Sequence, residues 1–428
     1  MTFQIVTALL VFLSVYVIIS LELINKASIV LLGASILLLL GIITPEKAFT
    51  KINLHVIFLL ASLMVLVNIA KDTGVFQYIA IKAAKLVHGD PLKILIFLSI
   101  LTGTTSAFLD NVTTIIILSP IAILIAVELG ISPVPFIIPM VIASNIGGTA
   151  TLIGDPLNNI IGYSSGLSFG DFLFNLTPLI VIIGAVSIVL SLYMFRHELR
   201  TTADRRARIM SFDESGIVTD KVMVIKTLTV WGFVILGFLL QDLIHISPSV
   251  IAMSGAVVLL IITGSNPEKY LAEIEWVTIF FFVGLFILVG TLEELKIIEY
   301  AGHKIIDFSG GNIKVATFTI IWGSGILSGI IDNIPFVAAM IPLIHMMNAS
   351  MVHAGNNILW WSLSAGACLG GNFTLIGASA NVVAGQISTK SGYPISFWNF
   401  TKYGIIYALV SLGISTVYIY LRYLLNGI

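Results

Sequence analysis

Mostly apolar runs of about 15–20 residues recur along this chain from one end to the other. The simplest are 3–20, 29–43, 54–70, 176–195, 250–264, 277–291 and 403–420. A bilayer crossing takes about 20 such residues. With 58% hydrophobic and only 10% charged residues, against about 25% charged in ordinary soluble domains, no soluble fold of this size hides so much apolar surface. The pattern requires an all-α polytopic membrane protein with the bilayer as its solvent.

Several functions fall away at once. A net charge of −1 suggests no nucleic-acid partner, and the single cysteine, Cys368, permits neither an internal disulfide nor a multi-thiolate metal site. There is no G-x-x-x-x-G-K-[ST] loop for ATP hydrolysis. The start of the chain lacks the basic region of a signal peptide, so 3–20 is expected to be a retained first helix.

The chain also repeats itself. Pro45-Glu46-Lys47 recurs as Pro267-Glu268-Lys269, Asp110-Asn111 as Asp332-Asn333, and Pro120 as Pro342, every pair offset by 222 residues. Further on, Gly147-Gly148-Thr149-Ala150-Thr151-Leu152-Ile153-Gly154 matches Gly370-Gly371-Asn372-Phe373-Thr374-Leu375-Ile376-Gly377 at an offset of 223. An ordered series in constant register marks two copies of one unit. The expected organisation is a first membrane repeat over 1–195, a linker over 196–226 and a second membrane repeat over 227–428.

That linker is the one long polar stretch and carries Arg196, Arg200, Arg205, Arg206, Arg208, Lys221 and Lys226. The positive-inside rule places it in the cytoplasm, and the membrane concerned is the plasma membrane. Five or seven crossings in the first half, both odd, would set the second half upside down and put both termini outside. Inverted repeats with broken helices meeting near the midplane are a transporter signature.

Asp110 and Asp332 stand at equivalent places, each followed by Asn (Asn111, Asn333) and each between apolar runs. A carboxylate at membrane depth costs about 2.5–3.5 kcal/mol on insertion scales. The setting fits two short helices meeting at a re-entrant tip, where Asp and Asn oxygens line a polar cavity; two full crossings fit the hydropathy equally. Helix capping accounts for Asp and Asn too, but Ser or Thr would cap at lower cost. Thr113 lies one turn into the first of these motifs.

A second constellation runs over 145–159 and 370–381. Its glycines and Pro156 interrupt any continuous helix, which exposes carbonyls and helix ends suited to cations and small oxyanions. Close helix packing explains Gly147, Gly148, Gly370 and Gly371. It does not explain Asn145, Asp155, Asn158, Asn159, Asn372 and Asn381. Thr149 and Thr374 belong to the same segments. Glu22, Glu128, His345, His353 and Glu293-Glu294 read as interfacial, and Cys368, at the place of Asn145 in the other half, as packing.

In these stretches, Phe108-Leu-Asp-Asn-Val-Thr-Thr114, Asn145-Ile-Gly-Gly-Thr-Ala-Thr-Leu-Ile-Gly-Asp-Pro156 and Gly370-Gly-Asn-Phe-Thr-Leu-Ile-Gly-Ala-Ser-Ala-Asn381, the chain resembles the ion-transporter superfamily. Within it the resemblance is to the arsenite-efflux permease and P-protein group, which carry a citrate-transporter-like domain. It covers nearly the whole chain, with Leu157 standing where the pattern usually has a second proline. It implies two inverted repeats with re-entrant hairpins, divided into a scaffold and a moving transport domain of the elevator type, commonly in a homodimer. It also implies that Asp110-Asn111 and Asp332-Asn333 take the place of the Ser-Asn pairs that hold Na+ and substrate carboxylate in the dicarboxylate/citrate branch. A separate ATPase subunit, used by some arsenite permeases, would leave no trace in this chain.

All six arginines lie in the linker or near the C-terminus (Arg422), none in the motif regions. Arg is the usual bidentate partner of carboxylates and phosphates, so the sequence suggests a small inorganic oxyacid or anion, arsenite-like, coupled to Na+ or H+ with no further cofactor. Asp110 and Asp332 would carry the coupling. The alternatives are a Na+/H+ antiporter and a Na+-coupled dicarboxylate or citrate carrier. An intramembrane aspartyl protease is more remote, because the G-x-G-D context is absent, and no enzyme is expected.

Overall fold

A computed structural model describes residues 2–21, 24–212, 216–218, 220–298, 300, 304, 306, 310–351 and 357–425. Glu22 and His353 lie outside the described residues. Those residues form helices and no strand. In chain order they are α1 (Thr2–Ser20), α2 (Lys26–Leu39), α3 (Pro45–Thr50), α4 (Leu54–Asp72), α5 (Val75–Leu86), α6 (Pro91–Ser106), α7 (Asn111–Leu129), α8 (Val134–Gly148), α9 (Pro156–Ser165), α10 (Phe169–Asn175), α11 (Thr177–Phe195) and α12 (Ala203–Met210). After the linker come α13 (Lys221–Leu239), α14 (Gln241–Ile244), α15 (Pro248–Thr263), α16 (Pro267–Ala272), α17 (Trp276–Glu294), α18 (Ile313–Ser328), α19 (Asn333–Ser350), α20 (Ile358–Gly370), α21 (Ser379–Lys390) and α22 (Phe397–Ile419), the last running into a π-helical turn, Tyr420–Leu424.

Among the described residues, six helices are long and apolar enough to cross a membrane: α4, α7, α11, α13, α17 and α22 with its π turn. Large apolar side chains such as Phe3, Val189, Phe233 and Ile261 face outward, as expected where lipid is the solvent. The shorter apolar helices include α2, α6, α8, α15, α18 and α20.

Helix starts follow capping chemistry. Asp90 accepts from the Leu92 N–H at 3.0 Å ahead of Pro91, and Asn312 accepts from the Lys314 N–H at 2.9 Å; these open α6 and α18, whose bounds are 222 residues apart. A short polar side chain in this place satisfies N–H groups that have no partner inside the helix. The bounds of α3 and α4 likewise return, shifted by 222, as those of α16 and α17.

Close helix contact depends on glycine at two matched crossings. α6 packs on α8 and α18 on α20. A Cβ at Gly147 would run into the Gly103 carbonyl, and one at Gly370 into the Gly325 carbonyl. Only a hydrogen side chain lets the backbones meet there, as small residues do in membrane interiors. Hydroxyls seal the same junctions: Ser106 donates to the Ser144 carbonyl at 2.7 Å and Ser328 to that of Ala367 at 2.6 Å. At the surface, Lys47 pairs with Glu294 and Lys269 with Asp72, again matched in register.

Candidate substrate and ion site

The turns between α6 and α7 (107–110) and between α18 and α19 (329–332) both reach a cavity of about 480 Å³. Asp110 and Asp332 stand at its edge as the N-caps of α7 and α19. Asp110 accepts from the Thr113 N–H at 2.9 Å, and Asp332 from the Ile334 N–H at 3.1 Å. Each cap bond engages one carboxylate oxygen. Asn111 and Asn333, the first residues of the two helices, line the same space.

Asp155 lines the same cavity. It caps α9 through the Leu157 N–H at 3.1 Å, and its other oxygen accepts from Asn111 Nδ2 at 3.0 Å. Asn111 Nδ2 also lies 3.2 Å from Asn145 Oδ1, and Asn145 Nδ2 donates to Asn372 Oδ1 and Asn381 Oδ1, both at 2.8 Å. One chain of buried amides therefore runs from the first tip into the second half. A polar network inside a bilayer is stable only when nearly every member is partnered.

The breaks after α8 and α20 are held by side-chain amides. Asn158 Nδ2 reaches the carbonyls of Gly148, Thr149 and Thr151, the last at 3.0 Å. Asn381 Nδ2 donates to the carbonyls of Gly371 and Thr374, both at 2.8 Å. Asn158 Oδ1 accepts from Ser364 at 2.6 Å and has the Cys368 thiol at 3.8 Å. Asn381 Oδ1 takes its bond from Asn145 instead, so Cys368 fills the matching place with a much weaker donor.

The remaining residues singled out from the sequence are not among those lining the cavity. Gly147, Gly148, Gly370 and Gly371 serve backbone contact. Thr149 donates to the Asn145 carbonyl at 2.8 Å, Thr374 to that of Gly329 at 2.6 Å, and Thr113 meets Asp110 through its backbone N–H. Among the described residues, no group of three or more His, Cys, Asp or Glu side chains converges as a metal site. Asp110, Asp155, Glu275 and Asp332 all line the cavity.

Two charged lining residues escaped the sequence reading, Lys26 and Glu275, while Asn159, singled out there, lines the cavity as well. Lys26, first residue of α2, places its ammonium 3.0 Å from Asp332 Oδ2 and 2.6 Å from Ser379 Oγ, and Ser379 donates to Asp332 Oδ2 at 3.1 Å. The motif regions hold no arginine, but this contact brings a lysine from outside them into the site. Glu275 precedes α17 and accepts from Thr278 Oγ1 at 3.1 Å. Both residues depart from the repeat: Pro248 stands where Lys26 would recur, and Asn53 where Glu275 would. A charged residue without a counterpart in the other copy was the available signal.

Residues 16–366 match the family model described as citrate transporter. The chain is 40% identical to an uncharacterized transporter of Mycobacterium tuberculosis, over 98% of each chain. It is 41% identical to a 46 kDa membrane protein of Mycobacterium leprae, over 98% of this chain and 99% of that one. The human P protein is 31% identical over 99% of this chain, which spans 60% of that relative.

Proposed function

The chain belongs to the citrate transporter family and is a membrane transporter, and from that premise we propose secondary active transport of a small inorganic oxyacid or anion coupled to H+ or Na+. One observation carries the reading. Asp110, Asp155, Asp332 and Glu275 all face one cavity, which among the described residues a single ammonium, that of Lys26, shares. A space so rich in carboxylates draws protons and monovalent cations and repels a multiply charged anion. An arsenite-like oxyacid, neutral in its protonated form, enters without that penalty.

In this mechanism Asp110 and Asp155 carry the coupling ion, and Asp332, expected from the sequence to share that role, is paired with Lys26 instead. Asn111 orients Asp155, and the amides of Asn145, Asn372 and Asn381 tie the first tip to the second half. The helix starts at Asn111, Pro156 and Asn333 are each capped by an aspartate, so their dipoles stabilise the carboxylates that face the cavity. The two copies act in opposite orientations with the linker cytoplasmic, both termini outside and the protein in the plasma membrane as a homodimer. The tie between Asp332 and Lys26 favours transport over a protease, whose two aspartates would share a proton with each other.

The test is proton flux in proteoliposomes read by an internal pH dye. Flux that needs arsenite or silicate and disappears in Asp110→Asn supports the proposal. Flux driven by Na+ or Li+ with no other solute would replace it with cation/proton exchange, which the same surplus of carboxylates favours. Uptake of citrate that requires Na+ would make Lys26 the partner of a substrate carboxylate and overturn the oxyacid reading.

A further inference from the structure

The two tips are built alike and filled differently. At the second, the Lys26 ammonium meets Asp332 Oδ2 at 3.0 Å and Ser379 Oγ at 2.6 Å, with the Phe281 ring centroid 5.5 Å away. Carboxylate, hydroxyl and aromatic face together form a coordination shell for a monovalent cation. At the first tip the equivalent positions are Pro248 for Lys26 and Pro156 for Ser379. Asp110 and Asp155 there have N–H and amide partners, and the one ammonium lining the cavity among the described residues, that of Lys26, is at the other tip. Beside them Asn159 is 2% exposed, lines the cavity, and has neither amide atom hydrogen-bonded.

We propose that Lys26 is a tethered cation that permanently occupies the second tip, so that each protomer takes one exchangeable monovalent cation, at Asp110, Asp155 and Asn159, rather than two. The placement of Lys26 supports this. It is the first residue of α2, where the helix dipole disfavours positive charge, and its stem runs from the end of an apolar stretch into a polar space instead of out to the interface. Nothing in local helix chemistry asks for lysine there; Asp332, 306 residues away, does. The inference rests on the cation-coupled reading for the role of the first tip, but the occupancy of the second tip can be measured without any transport.

The experiment counts cations. Equilibrium binding of 22Na+ to the purified protein in nanodiscs is compared between the parent and Lys26→Ala, with methylammonium as competitor. The expected result is one additional Na+ per protomer in Lys26→Ala, displaced by methylammonium, which reproduces the missing head group. Lys26→Ala/Asp332→Asn should lose that additional ion and return to the parent count, which also guards against misfolding caused by a lone, partly buried carboxylate. A folded Lys26→Ala protein that binds no more Na+ than the parent would overturn the proposal. Loss of coupling in Asp110→Asn with no gain in Lys26→Ala would sink this inference alone. A gain in Lys26→Ala with transport intact in Asp110→Asn would uphold it and sink the coupling role of the first tip.

Discussion

The first tip, Asp110-Asn111, and the second, Asp332-Asn333, both cap a helix through aspartate, to the third N–H at Thr113 and to the second at Ile334, and share the hydroxyl seals beneath them, yet their charges are balanced in different ways. The second has a lysine against its aspartate. The first has a further carboxylate, Asp155, where the second half carries Ala378. The sequence pattern recurs, and differences at a few matched positions, Lys26 against Pro248 and Asp155 against Ala378, give one tip a countercharge and the other an added carboxylate. A transporter that must bind and release an ion in every cycle needs the second kind of site. A fixed ion pair would serve positioning.

Breaking that contrast should produce the largest effect. Asp110→Asn or Asp155→Asn is expected to reduce coupled flux in proteoliposomes about a hundredfold, the scale of losing a charge-assisted contact of about 1.5–3 kcal/mol, with the protein still folded. Lys26→Gln combined with Asp332→Asn should retain far more flux than either single variant, because no unpaired charge is left behind. Equal losses at both tips would show that the asymmetry has no functional weight.

The glycine crossings test where the copies are equivalent. Gly147→Ala and Gly370→Ala should each destabilise the protein by about 1–3 kcal/mol, the usual range for overpacking, because each added methyl meets a backbone carbonyl that cannot rotate away. Gly184→Ala, where a Cβ meets open space, should leave the melting curve unchanged. A large difference between Gly147 and Gly370 would mean that the two crossings carry different loads.

Asn145 and Cys368 sharpen the comparison further. Asn145→Ala removes both 2.8 Å donations to the second half and the contact with Asn111, at a cost of about 1–3 kcal/mol for buried partners left unsatisfied. Cys368→Ala loses only a thiol contact of 3.8 Å and a small volume, and should cost less than about 1.5 kcal/mol. Thermal melting in detergent ranks the two.

Much of this was legible in the sequence, for identifiable reasons. The Asp-Asn tips and the Gly-rich breaks advertise themselves because charge and glycine are expensive inside apolar runs, and the constant register pairs them. Lys26 did not stand out, because a lysine at the end of an apolar run reads as snorkelling to the interface. Its partner is 306 residues away, and hydropathy has no term for that. Glu275 was hidden for the same reason. The amide chain from Asn111 to Asn381 was visible as a set of residues. Its connectivity was not, since Asn145 and Asn372 meet only in the folded chain.

The smallest effect is expected at the surface pairs, Lys47 with Glu294 and Lys269 with Asp72. Each joins a residue of one half to a residue of the other, and the two pairs interchange under the 222-residue shift. Exposed ion pairs contribute little because solvent and salt screen them. Lys47→Ala and Lys269→Ala should therefore both leave the melting midpoint within the spread of repeat measurements, at low and high salt alike. Transport rate is the more discriminating readout. If the halves slide against each other equally at both joints, the two variants will change the rate together. If only one joint opens during the cycle, one variant alone will change it, and the break in equivalence seen at the tips will extend to the moving surfaces.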